Sequence, residues 1–261
     1  MSQTLTALSN SNITTHSASN LPSSPHHLFT TLHQKIRTAK MEALLTDPLI
    51  ISVTSYVKDY MRNYDASHDF DHIQRVLSLS HHIYAHTPPQ QQPLDLKAIH
   101  LSALLHDVGD RKYLLPNQDP TTLISTTLLS LSCPPSLAQK VQEICLAVSY
   151  STEVKNPSHV QSILAKHPEL GVVQDADRLD AIGAVGIARM FTFGGAKGSR
   201  SLQASVDHID EKLVKLEGMM KTAEGRRLAG ERTERLRRFR AEWEEEVGFV
   251  EKLRLSKGEE K

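Results

Sequence analysis

The run Ser102-Ala103-Leu104-Leu105-His106-Asp107-Val108-Gly109-Asp110 begins as a buried helix should, then presents an imidazole and two carboxylates. Drawing an ionised carboxylate out of water costs many kcal/mol unless a cation or a hydrogen-bond donor meets it. Groups of the same kind occur in two other segments, His72 in SHDFDHIQRV and Asp177 in QDADRLDAIGAVGIARM. A single histidine on an apolar helix is commonly a structural hydrogen-bonding residue, so the combination is the signal. Two imidazoles and two carboxylates suit divalent Mn, Mg, Fe, Co, Ni or Zn and leave positions open for water and substrate. A competing pattern starts from His68 and His72, four apart on one helix face. The metallopeptidase version of that pair needs Glu after the first His, and Asp69 stands there instead. His68 is left as a phosphate-facing residue, a support behind a ligand, or a helix-start cap.

These residues need helices to hold them, and the sequence from Thr46 onward reads as helices with recognisable starts. Asp47-Pro48 and Asp119-Pro120 each place an N-cap acceptor before a proline, whose missing N–H is harmless at the first helical position. Apolar spacing predicts helices over Asp69–Tyr84, Leu96–Asp107 entered through Asp95, Pro135–Val148, Pro168–Met190, Asp207–Met219 and Thr222–Val247. Gly183 and Gly186 fall inside the fourth of these, where glycine costs about 1 kcal/mol relative to alanine; close helix packing or room for a substrate would explain them. The expectation is an all-α bundle at residues 41–250, with residues 1–40 as a disordered tail and 251–261 as a flexible C-terminus.

The ordered set His72, His106-Asp107 and Asp177 resembles the H…HD…D signature of the HD-domain metal-dependent phosphohydrolases. More narrowly, the chain is similar to bacterial-type HD hydrolases carrying SHDxxHxxRV, ALLHD, VQDADRLDAIGAxGIAR, FxxGGxKG and HxxEKLxKL. The last two stand here as FTFGGAKG from Phe191 and HIDEKLVKL from His208. The resemblance spans roughly Val53 to Val247. It implies an all-helical domain whose central helices converge on one divalent ion, with Mn favoured, held by His72, His106, Asp107 and Asp177. It also implies phosphohydrolysis of a nucleotide, some members of the subgroup being nucleoside triphosphate pyrophosphohydrolases. A 5'-nucleotidase and a non-catalytic HD module that binds a nucleotide or a protein are the alternatives carried alongside it.

Within that reading Asp110 is the general base. It lies four residues after His106, so it shares the ligand's face if the helix continues past Gly109; otherwise it pairs with Arg111 or Lys112. Phosphate charge requires cations, and Arg111, Lys112, Arg178 and Lys197 stand near the motifs, with Arg178 assigned a catalytic role beside Asp177. Asp180, one turn beyond Asp177, orients a ligand, meets a sugar hydroxyl, or forms a salt bridge. Among the other histidines, His81 and His82 read as surface residues, and His208 is equally a substrate neighbour or a structural residue.

Composition narrows the rest. Thirty basic and thirty acidic residues cancel, so no global field recruits nucleic acid or anionic lipid. No apolar run approaches the roughly 18 residues that span a bilayer, and no secretory signal stands out. Two cysteines, Cys133 and Cys145, make no disulfide framework. The expected setting is cytoplasmic, with a nuclear or, through the N-terminal tail, mitochondrial location less favoured. The expected partner is a small nucleotide, and homodimerisation is left open.

Overall fold

The computed structural model describes residues 36–88, 93–110, 114, 116–196 and 200–256, and those residues form helices and turns with no strand. In chain order they are α1 (residues 36–45), α2 (Pro48–Tyr60), α3 (Phe70–His86), α4 (Leu96–Leu105), α5 (Leu123–Ser130), α6 (Pro135–Val148), α7 (Tyr150–Lys155) and α8 (Pro157–Lys166). The series continues with α9 (Glu169–Asp180), α10 (Gly183–Ala196), α11 (Leu202–Glu211), a 3-10 segment Leu213–Met219, and α12 (Ala223–Ser256). None is long and apolar enough to cross a membrane.

The caps explain the starts. Asp47 accepts from the N–H groups of Leu49 and Ile50, with Pro48 in the first turn; Asp69 accepts from His72 N–H and Asp95 from Ala98 N–H. Each such cap contributes about 1 kcal/mol. Asp119 instead closes a tight turn over Thr121 and Thr122, and the helix it was expected to start begins later, at Leu123. The predicted Pro168–Met190 helix is two helices. The chain breaks at Ala181-Ile182 because Gly183 has φ +74, a left-handed conformation that side chains strain to adopt. Asp207–Met219 likewise divides into α11 and the 3-10 segment. Helix α1 covers residues 36–40, within the stretch expected to be a tail, and α12 continues to Ser256, within the expected C-terminus. The remainder of the predicted tail lies outside the described residues.

Helix α9 is the axis of the molecule. It packs against α3, α4, α6, α10 and α12, and Leu170, Val172, Val173, Ala176 and Leu179 are all within 1% of full burial. Each large aliphatic side chain so buried contributes roughly 1.5–3 kcal/mol. Its polar residues other than Asp177 are buried too, and each of them has a partner. Glu169 takes the Asp95 N–H and Lys140; Gln174 donates to Ala147 C=O; Asp175 accepts from Lys221 N–H, Thr222 N–H and the Thr222 hydroxyl. Together these bonds fasten α9 to α4, α6 and the start of α12, which fixes where Asp177 stands.

A histidine pair ties α3 to α4. His81 Nε2 lies 3.0 Å from His100 Nδ1, so His81 is a half-buried packing residue and not the surface residue the sequence suggested. Burial pushes both imidazoles down, His100 to about 3. The folded chain therefore keeps His100 neutral where the unfolded chain protonates it near pH 6.5. Stability should be unaffected by this residue above that value and fall progressively as pH drops toward 3. Urea unfolding followed between pH 7.5 and 4.5 checks the sign; His100→Asn should flatten the slope.

Candidate metal centre

Among the described residues His72, His106 and Asp177, from three helical segments, each bring one donor atom within 4.8 Å of the others, and Asp107 lies against both imidazoles. His72 comes from the first turn of α3, His106 and Asp107 from the turn that ends α4, and Asp177 from the last turn of α9. His72 Nε2 lies 3.2 Å from His106 Nε2, 3.3 Å from Asp107 Oδ2 and 3.6 Å from Asp177 Oδ1. His106 Nε2 is 3.6 Å from Asp107 Oδ1 and 3.8 Å from Asp177 Oδ1. Bonds of about 2.1 Å to a shared centre would space ligand atoms by roughly 3.0–3.4 Å, close to what is seen.

The hydrogen bonds behind the cluster orient its two imidazoles. The Nδ1 atom of His72 faces the Asp180 carboxylate at 2.8 Å, and that of His106 faces the Ala103 carbonyl at 2.9 Å. Carboxylates and carbonyls only accept, so each ring carries its proton on Nδ1 and turns a bare Nε2 inward. Two nitrogen lone pairs and the Asp177 carboxylate thus converge, with Asp107 turning one oxygen to each imidazole and nothing but acceptors between them. Asp107 Oδ2 is buried with no hydrogen bond of its own. A divalent cation answers every one of these demands, and the mixed N and O donors suit the metals expected from the sequence.

Burial pushes the Asp107 carboxyl up, but the His106 and His72 imidazoles outweigh it and hold the group well below the usual carboxylate range. Burial pushes His72 down, yet Asp107 and Asp180 raise it overall.

Asp180 is the support behind the centre, the first of the three roles the sequence allowed it, and it makes the salt bridges as well. Its oxygens accept from His72 Nδ1, from Arg75 Nε and Nη2 at 2.8 and 3.1 Å, and from Arg189 Nη1 at 3.0 Å. Despite its burial the carboxyl is held low by His72 and Arg75. Arg75 and Arg189 were missed as site residues, although both lie in the strings SHDFDHIQRV and VGIARM. Tyr64 and Tyr60 were missed too: the Tyr64 hydroxyl donates to Asp107 C=O at 3.2 Å, and Gly109 N–H donates to the Tyr60 hydroxyl at 3.3 Å, which pins the ligand-bearing turn. An amphipathic reading shows those tyrosines only as core.

Arg178 does not reach the cluster. Adjacent helical residues point about 100° apart, and Arg178 is 2% exposed on the far side of α9, donating to Met219 C=O at 3.0 Å and to Glu153 at 2.5 Å. Its catalytic assignment is corrected to a packing role. Arg178→Met should cost about 3 kcal/mol by leaving Glu153 with Lys221 alone, while specific activity of the folded fraction stays unchanged. Urea titration beside turnover per folded molecule checks both halves.

The condition under which Asp110 would share the face of His106, a helix running past Gly109, is not met, and the helix expected over Leu96–Asp107 ends sooner. Helix α4 stops at Leu105, and Gly109 has φ +86. Asp110 is instead kept near Asp107 by a turn in which its N–H donates to Asp107 C=O at 3.3 Å. Arg111, Lys112 and Lys197 lie outside the described residues.

A cleft of about 160 Å³ opens beside the centre, with His68, Arg189, Arg200, His208 and Lys212 around Met190 and Phe193. The His68 ring lies 5.9 Å from both the His72 and Phe193 rings, and its Nδ1 is 2.7 Å from the Ser67 hydroxyl. Arg189 holds the same turn by donating to Ser67 C=O at 2.8 Å. The cleft therefore combines apolar walls with a cationic lining, next to His72.

Known proteins show the same arrangement of chain. No family model matches. YpgQ of Bacillus subtilis (strain 168) is 32% identical over 204 residues, 76% of this chain and 94% of its own. The crystal structure of YpgQ in complex with ADP is 31% identical with a TM-score of 0.58, covering 76% of this chain and 95% of that one. An HD-superfamily hydrolase from Bacillus thuringiensis is 28% identical with a TM-score of 0.51, covering 76% and 96%.

Proposed function

The chain belongs to the family of YpgQ, among the HD-superfamily hydrolases, and from that premise we propose that it is a divalent-metal-dependent phosphohydrolase acting on a nucleotide. The observation that carries this reading is the set of inward-facing lone pairs on His72, His106, Asp107 and Asp177 beside a cationic cleft. The ADP bound by YpgQ supports a nucleotide ligand.

When bound, the ion lowers the pKa of a water molecule and polarises a phosphoryl oxygen. The chain's own residues do the remainder. Asp110 accepts the proton of the attacking water as its oxygen approaches phosphorus. Arg189 and Lys212 on the cleft wall, together with Arg111, Lys112 and Lys197, meet the phosphate charge, arginine as a two-pronged donor and lysine as a point charge. Phe193 and Met190 offer an apolar surface for a base. His68 faces the phosphates from the rim, held by Ser67. Asp180 fixes the His72 ring with its bare nitrogen inward. The favoured reaction converts a (d)NTP to the monophosphate and pyrophosphate, in a cytoplasmic setting with Mn²⁺.

Phosphorus NMR of products from NTPs, dNTPs and NMPs with Mn²⁺ tests the bond assignment. Pyrophosphate from a triphosphate is the expected result. Orthophosphate from monophosphates would make the enzyme a 5'-nucleotidase, and the absence of turnover on every nucleotide would remove the proposal.

A further inference from the structure

A second group of ligating side chains converges among the described residues, away from the centre. His82 and His86 stand one turn apart on α3, Glu224 arrives from the first turn of α12, and one donor atom from each lies within 4.8 Å of the others. We propose that His82, His86 and Glu224 form a separate metal site for Zn²⁺, clasping the end of α3 to the start of α12.

Three features support it. Spacing by four puts both imidazoles on one face, with ring centroids 4.1 Å apart. His86 Nδ1 faces the carbonyl of His82 at 2.8 Å, so its proton is on Nδ1 and its Nε2 is left as a donor to metal. Glu224 is 11% exposed and places Oε1 2.7 Å from His82 Nε2, with Thr87, Pro88 and Thr222 around a small cleft at the junction. Two nitrogens and one carboxylate oxygen leave a fourth tetrahedral position to water, a set that suits Zn²⁺.

Arg227 is the competitor, since its Nη2 and Nε also contact Glu224, at 2.8 and 2.9 Å. It has another carboxylate, however: Nη1 reaches Glu231 at 2.7 Å. Glu224 can therefore give Oε1 to the ion and leave Oε2 to Arg227 Nε. Binding replaces the proton on His82 Nε2 by the ion, and the ring carries its proton on Nδ1. His82 lies ten residues from His72, about 15 Å along α3 at 1.5 Å per residue, so one ion cannot serve both places.

Zn²⁺ titration of the metal-stripped full chain, by calorimetry with elemental analysis after gel filtration, tests the site. Wild type should bind two equivalents at about 10 µM or tighter, His86→Ala one, His106→Ala one, and the double variant none. Circular dichroism should show all four folded, because His86 is exposed at a helix end. Zn²⁺ should also raise the melting temperature of His106→Ala and leave that of the double variant unmoved. Mn²⁺-supported hydrolysis by His86→Ala should match wild type. A single equivalent in wild type, or two retained by His86→Ala, would overturn the site. Failure of hydrolysis with His86-dependent Zn²⁺ binding intact would leave this site standing and count only against the proposed function.

Discussion

His106→Ala is expected to empty the central cluster of its ion and lower hydrolysis by at least about 10³-fold while the chain stays folded. The size follows from the several kcal/mol of charge stabilisation an ion supplies to a phosphoryl transition state, at 1.36 kcal/mol per tenfold. The fold should survive because the side chain's other bond is local, from Nδ1 to Ala103 C=O one turn back. Removing His106 takes away one of two inward nitrogens and leaves His72 Nε2 facing Asp107 and Asp177, a poorer site. Metal content by elemental analysis should fall together with turnover. A variant that keeps its ion and its rate would show that Nε2 of His106 is not a ligand.

Asp110→Asn separates holding the ion from moving the proton. Asparagine keeps the size and hydrogen-bonding of the side chain but cannot accept a proton, so kcat should fall roughly 10²–10⁴-fold with metal content and nucleotide binding unchanged. The backbone turn that fixes this residue, from Asp110 N–H to Asp107 C=O, is preserved by the substitution. Metal content measured beside turnover decides the role. Normal turnover would remove Asp110 from the mechanism, and loss of the ion would make it a ligand or a support.

The cluster was legible in the sequence because imidazoles and carboxylates recur together in three helical segments, in an order that resembles the HD signature. That argument holds for His72, His106, Asp107 and Asp177, which the fold brings together. It fails for Arg178, equally polar and equally well placed in the string, because a charged residue on a buried helix can be satisfied on any side. Only the three-dimensional position of Glu153 and of the Met219 carbonyl shows which side Arg178 faces. Arg75 was hidden for the converse reason, since its partner Asp180 is more than one hundred positions away and no local pattern reveals the pair; Arg189 is nine positions from Asp180 but beyond the break at Gly183. The turn at Gly109 and the break at Gly183 depend on a left-handed backbone at one residue each, which helical periodicity passes over. His82 and His86 were spaced for a shared face all along, but nothing in the sequence brings Glu224 to them.

The central claim is that inward lone pairs at His72, His106, Asp107 and Asp177 hold a divalent ion on which nucleotide hydrolysis depends. The most direct test is nucleoside triphosphate turnover by the full chain before chelation, after chelation, and after Mn²⁺ is returned, with metal content measured at each stage. Turnover should vanish on chelation and recover as about one equivalent of Mn²⁺ binds, a stoichiometry set by the single cluster these four side chains form. Hydrolysis that persists undiminished in the metal-free chain would contradict it.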